Sequence, residues 1–281
     1  MKNILIPTDF SDNAWNAVVY ANQFFKNENC NFYLLHVSDF LDYASVPVSV
    51  GTGENSTEQK TIPAKKKLSD LIKLVEKTFS NEKHQYFVLQ DHGFFIESIK
   101  KHLSENKIDL IVMGTKGAAG IRKRIIGSNT GDVITKVQCN ALIVPEGVDF
   151  SKPDEVAFPT DYNIFYSHKI LDALSGVLSV NKGKIRVMNV SKTQSELTHS
   201  QEKNKEYLRD FLNERFPERN SFHTITNKKV TSAIQCFVES REVDMIFMVA
   251  KNLNLLQQIL FDSLVEKVSF HTTVPFFVVH E

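Results

Sequence analysis

The chain has 281 residues, 42% of them hydrophobic, enough for two ordinary domains that each bury a core. Its 33 basic side chains are cancelled by 33 acidic ones, which argues against a dedicated nucleic-acid binder with its usual excess of Lys and Arg. Cys30, Cys139 and Cys236 lie far apart and are odd in number, so they read as buried or half-buried free thiols in a reduced compartment rather than a disulfide framework. No basic segment followed by an apolar stretch opens the chain, and no apolar run approaches the ~18 residues of a membrane helix. A cytosolic protein with no membrane or nucleic-acid partner is the expectation.

Taken in order, Lys2–Ile6 reads as a strand closed by Pro7. Ala14, Ala17, Val18, Ala21, Phe24 and Phe25 then recur at helical spacing, with Ser11 or Asp9 able to cap that helix and Asp12 in its first turn. Asn31–Val37 is a second strand. Residues 38–62, punctuated by Pro47, Gly51, Gly53 and Pro63, read as a long exposed loop. A basic-faced helix follows over Ala64–Phe79, then a strand over His84–Leu89, and a helix after Gly93. Asp109–Met113 is a fourth, strongly apolar strand. Gly114-Thr115-Lys116-Gly117 begins a glycine-bearing loop that reaches Gly127-Ser128. A helix over Ser128–Val137 and a strand over Ala141–Pro145 complete the series. Strands apolar on both faces, alternating with helices, point to a parallel sheet covered on both sides in a doubly wound α/β domain.

After Pro145 the pattern restarts. Val-Ala-Phe-Pro159-Thr-Asp161 echoes Ile4-Leu-Ile-Pro7-Thr-Asp9 at a shift of 152, and Arg186–Ser191 echoes Tyr33–Ser38 at 153. Val243–Met248 echoes Ile108–Met113 at 135, and Thr273–Val279 echoes the strand at Ala141 at about the same shift. The second copy is therefore shorter, and the missing part matches the loop at 38–62. Two tandem domains, 1–147 and 151–281, are expected, joined by Asp149–Pro153.

The glycine loop is the chemistry-bearing feature. Glycine admits a ligand where a Cβ would intrude, and free N–H groups at the following helix start favour an anion. In a doubly wound sheet a ligand sits beyond the carboxyl ends of the strands, at the point where the order reverses. Asp9, the end of the second strand and Gly114 converge there if the first and fourth strands are neighbours. Arg122-Lys123-Arg124 reads as a solvated run near this loop. The generic phosphate-loop and dinucleotide fingerprints, the G-x-S-x-G elbow, CxxC and H-x-x-x-H are absent, so neither a catalytic residue nor a metal site is assigned. His84 and His92 near Asp91 do not make a ligand set.

Gly114, Gly117 and Gly127-Ser128 at this spacing, with PTDFS at the start, HV at the second strand, IVMGTKG, GSNTGDVI and ALIVP, resemble the nucleotide-binding branch of the universal stress protein family. The match runs through the chain as two copies. The resemblance implies an adenine nucleotide alpha hydrolase-like fold, with a five-stranded parallel sheet of order 3-2-1-4-5 in each domain. It implies ATP or another adenine nucleotide as ligand, with Mg2+ as its companion ion. Asp9 and the backbone near Val37 would meet the adenosine part. Gly114, Thr115, Lys116, Gly117, Gly127, Ser128 and Asn129 would form the ribose and phosphate cradle. The second copy departs from the pattern: Gly114, Gly117 and Gly127 correspond to Val249, Asn252 and Asp262, and Ser263 alone persists. One nucleotide site, in the first domain, is therefore expected. The persistence of Asp161 points to a local turn role for Asp9 as well. The apolar stretch within 253–261 is expected to fold over the old pocket mouth or pack on the first domain, with a partner or hydrophobic-ligand surface as the alternative. A nucleotide-dependent stress-response module, a slow ATPase and a nucleotide-free scaffold all remain open. The family's habit of pairing last strands implies an intramolecular pseudo-dimer, and further homodimerisation stays open.

Overall fold

Apolar runs that alternate with helical periodicity produce seventeen elements in the computed structural model, which describes residues 1–38, 56–115, 127–180, 182–191, 196–251 and 274–281. The first half contains β1 (Lys2–Pro7), α1 (Asp12–Phe24), β2 (Cys30–Ser38), α2 (Ser56–Thr78), β3 (His84–His92), α3 (Phe95–Glu105), β4 (Leu110–Gly114), α4 (Ser128–Lys136) and β5 (Asn140–Val144). The second half contains β6 (Glu155–Pro159), α5 (His168–Ser179), β7 (Lys184–Ser191), α6 (His199–Arg215), β8 (Asn220–Thr226), α7 (Val230–Ser240), β9 (Met245–Val249) and β10 (Phe276–Val279). Two boundaries differ from the sequence expectation. α2 begins at Ser56, so 56–62 is helical rather than loop, and Pro63 lies inside the helix. Helix formers such as Glu58, Gln59 and Lys60 outweigh the proline there. β3 runs on to His92 because it pairs with β2 along its whole length, through Ser38↔His92.

The strands form one sheet in the order β3-β2-β1-β4-β5-β10-β9-β6-β7-β8. Each half has the 3-2-1-4-5 order, and its strands are parallel. The registers repeat as well. Ile4↔Leu110 in the first half becomes Val156↔Met245 in the second, and Ile4↔Phe32 becomes Val156↔Ile185. From Phe32↔Tyr86 and Ile185↔Asn220 the shift is 153 at β2 and β7 (185 − 32) but 134 at β3 and β8 (220 − 86). The shortening of the second copy therefore falls between those strands, where the residues of the first copy are 39–83.

The two halves meet where β5 and β10 pair antiparallel, through Phe276↔Ile143, Phe277↔Leu142 and Val278↔Ala141. Both faces of the sheet are covered. On one, α1, α2, α5 and α6 bury Val18, Leu68, Ile170 and Leu212. On the other, α3, α4 and α7 bury Ile99, Ile134 and Ile234. Each core runs across the seam without a break, from Ile4 to Val279 on one face and from Leu5 to Val278 on the other.

Some polar and thiol groups are enclosed with these cores. Burial pushes the Cys30 thiol up to about 11 and the Cys139 thiol up to about 12, so neither is a thiolate near neutrality. Cys236 is exposed, unlike the buried or half-buried state expected of all three. Burial also lowers His84, His223 and His280 below the ordinary histidine value of 6.5, although the Phe25 carbonyl near His84 opposes this. Their folded values lie below their unfolded ones, so the unfolded chain takes up protons first as pH falls. The stabilising contribution is complete above about 6.5 and declines below it. The urea midpoint is therefore expected to drop between neutral pH and pH about 5, and a His84→Gln, His280→Gln variant should show a flatter pH profile over that interval.

Candidate functional site

β1 lies between β2 and β4, at the place where the strand order reverses. It pairs with β2 over six residues, Lys2↔Cys30 to Pro7↔Leu35, but with β4 only at Ile4↔Leu110 and Leu5↔Ile111. Past that point β1 and β4 are no longer paired. The carboxyl ends around Pro7–Phe10 and Met113–Thr115 thereby flank the reversal point where a ligand crevice forms in this class of sheet.

The turn after β1 is closed by its own polar groups. Thr8 donates its N–H to the Leu35 carbonyl at 2.8 Å, and its Oγ1 accepts from the Phe10 N–H at 3.1 Å. Asp9 is exposed, and its Oδ1 accepts from the Ser11 N–H at 3.0 Å. Phe10 sits in left-handed backbone at φ 64°. His36 Nδ1 lies 2.9 Å from the Thr8 carbonyl, and its ring packs against Phe10 with centroids 4.6 Å apart. Ser11 is the helix cap, accepting from the Ala14 N–H at 3.2 Å. The second half repeats this turn almost bond for bond. Thr160 donates to the Met188 carbonyl at 2.8 Å and accepts from the Tyr162 N–H at 3.1 Å. Asp161 Oδ1 accepts from the Asn163 N–H at 3.0 Å, Tyr162 has φ 58°, and Asn189 takes the place of His36 on the Thr160 carbonyl at 3.0 Å. The carboxylate at position 9 or 161 thus closes a side-chain turn whether or not a glycine loop stands opposite.

Gly114 ends β4, and the place a side chain would take on its Cα is occupied. A Cβ built there would lie 2.4 Å from Asn13 Nδ2 and 2.7 Å from Asn13 Cγ. Asn13 comes from the first turn of α1 and is buried. A packing role thus belongs to this glycine: it admits Asn13 and lets α1 close on the end of β4. Sequence reading passed over Asn13 because its only signal, a small polar residue in a helix's first turn, also describes an ordinary exposed position. Gly114→Ala is expected to cost about 1–3 kcal/mol in unfolding free energy through overpacking. Adding Asn13→Gly should restore much of it, which a double-mutant cycle by urea unfolding will measure.

Thr115 follows with its side chain buried at 2% exposure. Its N–H donates to the Val144 carbonyl at 3.1 Å, and its carbonyl accepts from the Gly127 N–H. Thr130 Oγ1 donates to the Gly114 carbonyl at 2.9 Å. These bonds bring the two ends of the glycine-bearing segment together at the base. Lys116, Gly117 and Arg122–Arg124 lie outside the described residues. Gly127 is the N-cap of α4, with φ −64° and ψ 158° and no side-chain cap. Ser128 and Asn129 are exposed in its first turn. The first-turn N–H groups of a helix have no partners within it, and the cap residue Gly127 has no side chain to offer them. Val37 is half-buried in β2, across from Asp91 of β3.

At the matching place in the second half, Val249 is buried in β9. Asn252, Asp262, Ser263 and the apolar stretch 253–261 lie outside the described residues. α5 starts at His168, four residues later than the register counterpart of Asp12 at 164 (12 + 152; 168 − 164). The chain before it turns inward with Tyr162 and Tyr166 buried to 1% exposure or less. The Tyr166 and Thr160 hydroxyls are 2.7 Å apart, and α6 fastens the turn through Gln201 Nε2 to the Asp161 carbonyl at 2.8 Å and Asn204 Nδ2 to the Tyr162 carbonyl at 2.9 Å. Among the described residues no three His, Cys, Asp or Glu side chains gather as metal ligands, and no helix is long and apolar enough to cross a membrane.

Comparison with known proteins places this geometry. The model of the universal stress protein family matches residues 1–145. Two universal stress proteins of Methanocaldococcus jannaschii are similar to the first half: MJ0577 at 31% identity over 156 residues, spanning 51% of this chain and 94% of its own, and MJ0531 at 29% over 143 residues, spanning 51% and 81%. Among solved structures, a universal stress protein from Archaeoglobus fulgidus superposes on 99% of this chain and 96% of its own with a TM-score of 0.68 at 20% identity. A second, from Pseudomonas aeruginosa, covers 99% and 93% with a TM-score of 0.59 at 12% identity. At those identities the structural likeness speaks for the fold alone, and it extends over both halves.

Proposed function

The chain belongs to the universal stress protein family, and on that premise we propose that domain 1–147 binds ATP or another adenine nucleotide as a regulatory ligand in stress response, while domain 151–281 is a degenerate copy that binds none. The observation that carries this reading is the N-terminus of α4, which opens on a glycine cap. Gly127 contributes no side chain, Ser128 and Asn129 face solvent, and the helix dipole there favours an anion. The unpaired ends of β1 and β4 supply the adjoining crevice. Asp9 and the Val37 backbone would meet the base and sugar, and the first turn of α4 would hold phosphate. Lys116 and Gly117 belong to the same proposed cradle by sequence. Mg2+, bound with the nucleotide, would neutralise phosphate charge, and the protein's own share is orientation through N–H groups and hydroxyls. No described side chain is placed as a general base beside this turn, which favours a bound switch over rapid turnover.

The second half supports a single site. Tyr162 and Tyr166 are buried in the segment after β6, and Gln201 and Asn204 of α6 bond the Asp161 and Tyr162 carbonyls. The antiparallel pairing of β5 and β10 supports reading the two halves as an intramolecular pseudo-dimer. Calorimetric titration of the full chain with ATP and Mg2+ tests the proposal. One nucleotide per chain is expected. Two per chain would remove the degenerate-copy reading, and no heat or retention at millimolar nucleotide would leave a nucleotide-free scaffold.

A further inference from the structure

Helical hydroxyls in this protein mostly bond close to home. Thr135 donates to the Gly131 carbonyl at 2.8 Å, Thr78 to the Leu74 carbonyl at 2.7 Å and Ser175 to the Leu171 carbonyl at 2.8 Å, each four residues back. That is the usual local bond of a serine or threonine inside a helix. Thr130 departs from it. It is the third residue of α4, its side chain is buried, and its hydroxyl leaves the helix altogether. Oγ1 donates to the Gly114 carbonyl, sixteen residues back, at 2.9 Å, with the Thr115 carbonyl at 3.5 Å.

Gly114 is the last residue of β4 and Thr115 is the next. The Thr115 carbonyl also accepts from the Gly127 N–H, and the Thr115 N–H is itself held by the Val144 carbonyl of β5 at 3.1 Å. One side-chain hydroxyl and one cap N–H therefore pin the start of α4 to the end of β4. The first bond within the helix runs from the Gly131 N–H to the Gly127 carbonyl at 3.0 Å. The N–H groups of Ser128, Asn129 and Thr130 precede it, and these are the donors a helix leaves without internal partners. Where they stand relative to the unpaired ends of β1 and β4 depends on what fastens this turn to the strand.

The second half keeps the strand end and lacks the hydroxyl. The Ala250 N–H donates to the Val279 carbonyl at 2.8 Å, as Thr115 does to Val144. The shift of 135 sets Ala250 at the position of Thr115 and Val265 at that of Thr130. Valine has the shape of threonine without its donor. The copy that lacks the three glycines thus keeps the volume at this position and not the hydrogen bond.

We propose that Thr130 is a positioning residue of the nucleotide site: its hydroxyl holds the first turn of α4 against the end of β4, so that the free N–H groups there stay within reach of a phosphate at the crevice. This role presupposes the adenine nucleotide proposed for domain 1–147, and it concerns the phosphates rather than the base.

Thr130→Val and Thr130→Ser in the full chain separate positioning from stability alone. In Thr130→Val the dissociation constant for ATP with Mg2+ is expected to rise at least roughly tenfold, about 1.4 kcal/mol, within what one hydrogen bond contributes. The constant for adenosine, which has no phosphate, should change by less than about twofold. Thr130→Ser keeps the donor and should bind ATP within about threefold of the wild type. In the absence of nucleotide, hydrogen exchange at the Gly127 amide should quicken at least roughly tenfold in Thr130→Val while the Ala250 amide stays near its wild-type rate. Loss of global stability alone would speed both amides alike and weaken ATP and adenosine together. The proposal is overturned by a valine variant that keeps its ATP affinity, by equal losses for the two ligands, or by a serine variant as weak as the valine one. A wild-type chain that takes up neither ligand overturns the nucleotide reading and this role with it, whereas wild-type binding beside an indifferent valine variant removes this role alone.

Discussion

Phe247→Ala is expected to lower the unfolding free energy by about 3–5 kcal/mol, the range for removing a buried aromatic ring. Phe247 is fully buried in β9. Its ring meets Phe158 edge-on at 5.2 Å and stacks on Phe277 at 6.0 Å with an interplanar angle of 4°. Phe277 in turn pairs with Leu142 across the seam. The matching first-half positions are Ile6, Val112 and Leu142, so the aromatic row belongs to the second half and ends at the junction. Because the core is continuous there, the loss should be felt on both sides. The single tryptophan, Trp15, lies on α1 of the first half and packs against the same core. Its fluorescence transition in urea is expected to move with the far-UV signal. A Trp15 transition that stays put while the far-UV midpoint falls would mean that the halves unfold independently.

Gly127→Asp is expected to weaken ATP binding roughly 100-fold or more while leaving the fold intact, which separates ligand recognition from stability. Gly127 has φ −64° and ψ 158°, ordinary extended backbone that aspartate adopts without strain. Aspartate is a favoured N-cap, so α4 should gain a few tenths of a kcal/mol over glycine. Its carboxylate would take the N–H groups proposed for phosphate. Two unit charges about 4 Å apart repel by about 4 kcal/mol at an effective dielectric of about 20, which makes a 100-fold loss a moderate expectation. The second half carries Asp262 at the corresponding sequence position, so the variant installs in one half what the other already has. Titration of the variant beside the wild type reads the effect. Retention of affinity within about threefold, a difference of under 1 kcal/mol, would show that phosphate does not rest on this helix end.

How far the sequence carried the fold can be judged strand by strand. β1, β2, β4 and β5 each begin and end within one residue of expectation. Strands buried on both faces are apolar almost throughout, and that signal survives without tertiary information. The start of α2 was lost because polar helix formers and polar loops share a composition, and a proline biased the reading. At the site, the turn of Asp9 was legible because Asp161 repeats it without the loop. The packing role of Gly114 was not legible: a glycine needed for a neighbour's side chain and one needed for a ligand look alike until Asn13 is in place. Tyr162 and Tyr166 are four apart, as in a helix, and nothing local says that α5 waits until His168.

By itself the sequence determined the two-copy α/β plan, the 3-2-1-4-5 order implied by its family resemblance, and the asymmetry between a half that kept its glycines and one that did not. The plan and the asymmetry rest on local apolar periodicity and on a repeat legible along one dimension; the strand order rests on the motifs shared with the family. The tertiary structure alone decided the register of the expected seam, Phe277 against Leu142, that Asn13 fills the space beside Gly114, and that Tyr162 and Tyr166 are buried ahead of α5, with α6 bonded to the Asp161 and Tyr162 carbonyls. Each of these depends on which side chains distant in the chain compete for the same volume, and a one-dimensional pattern carries no record of that competition.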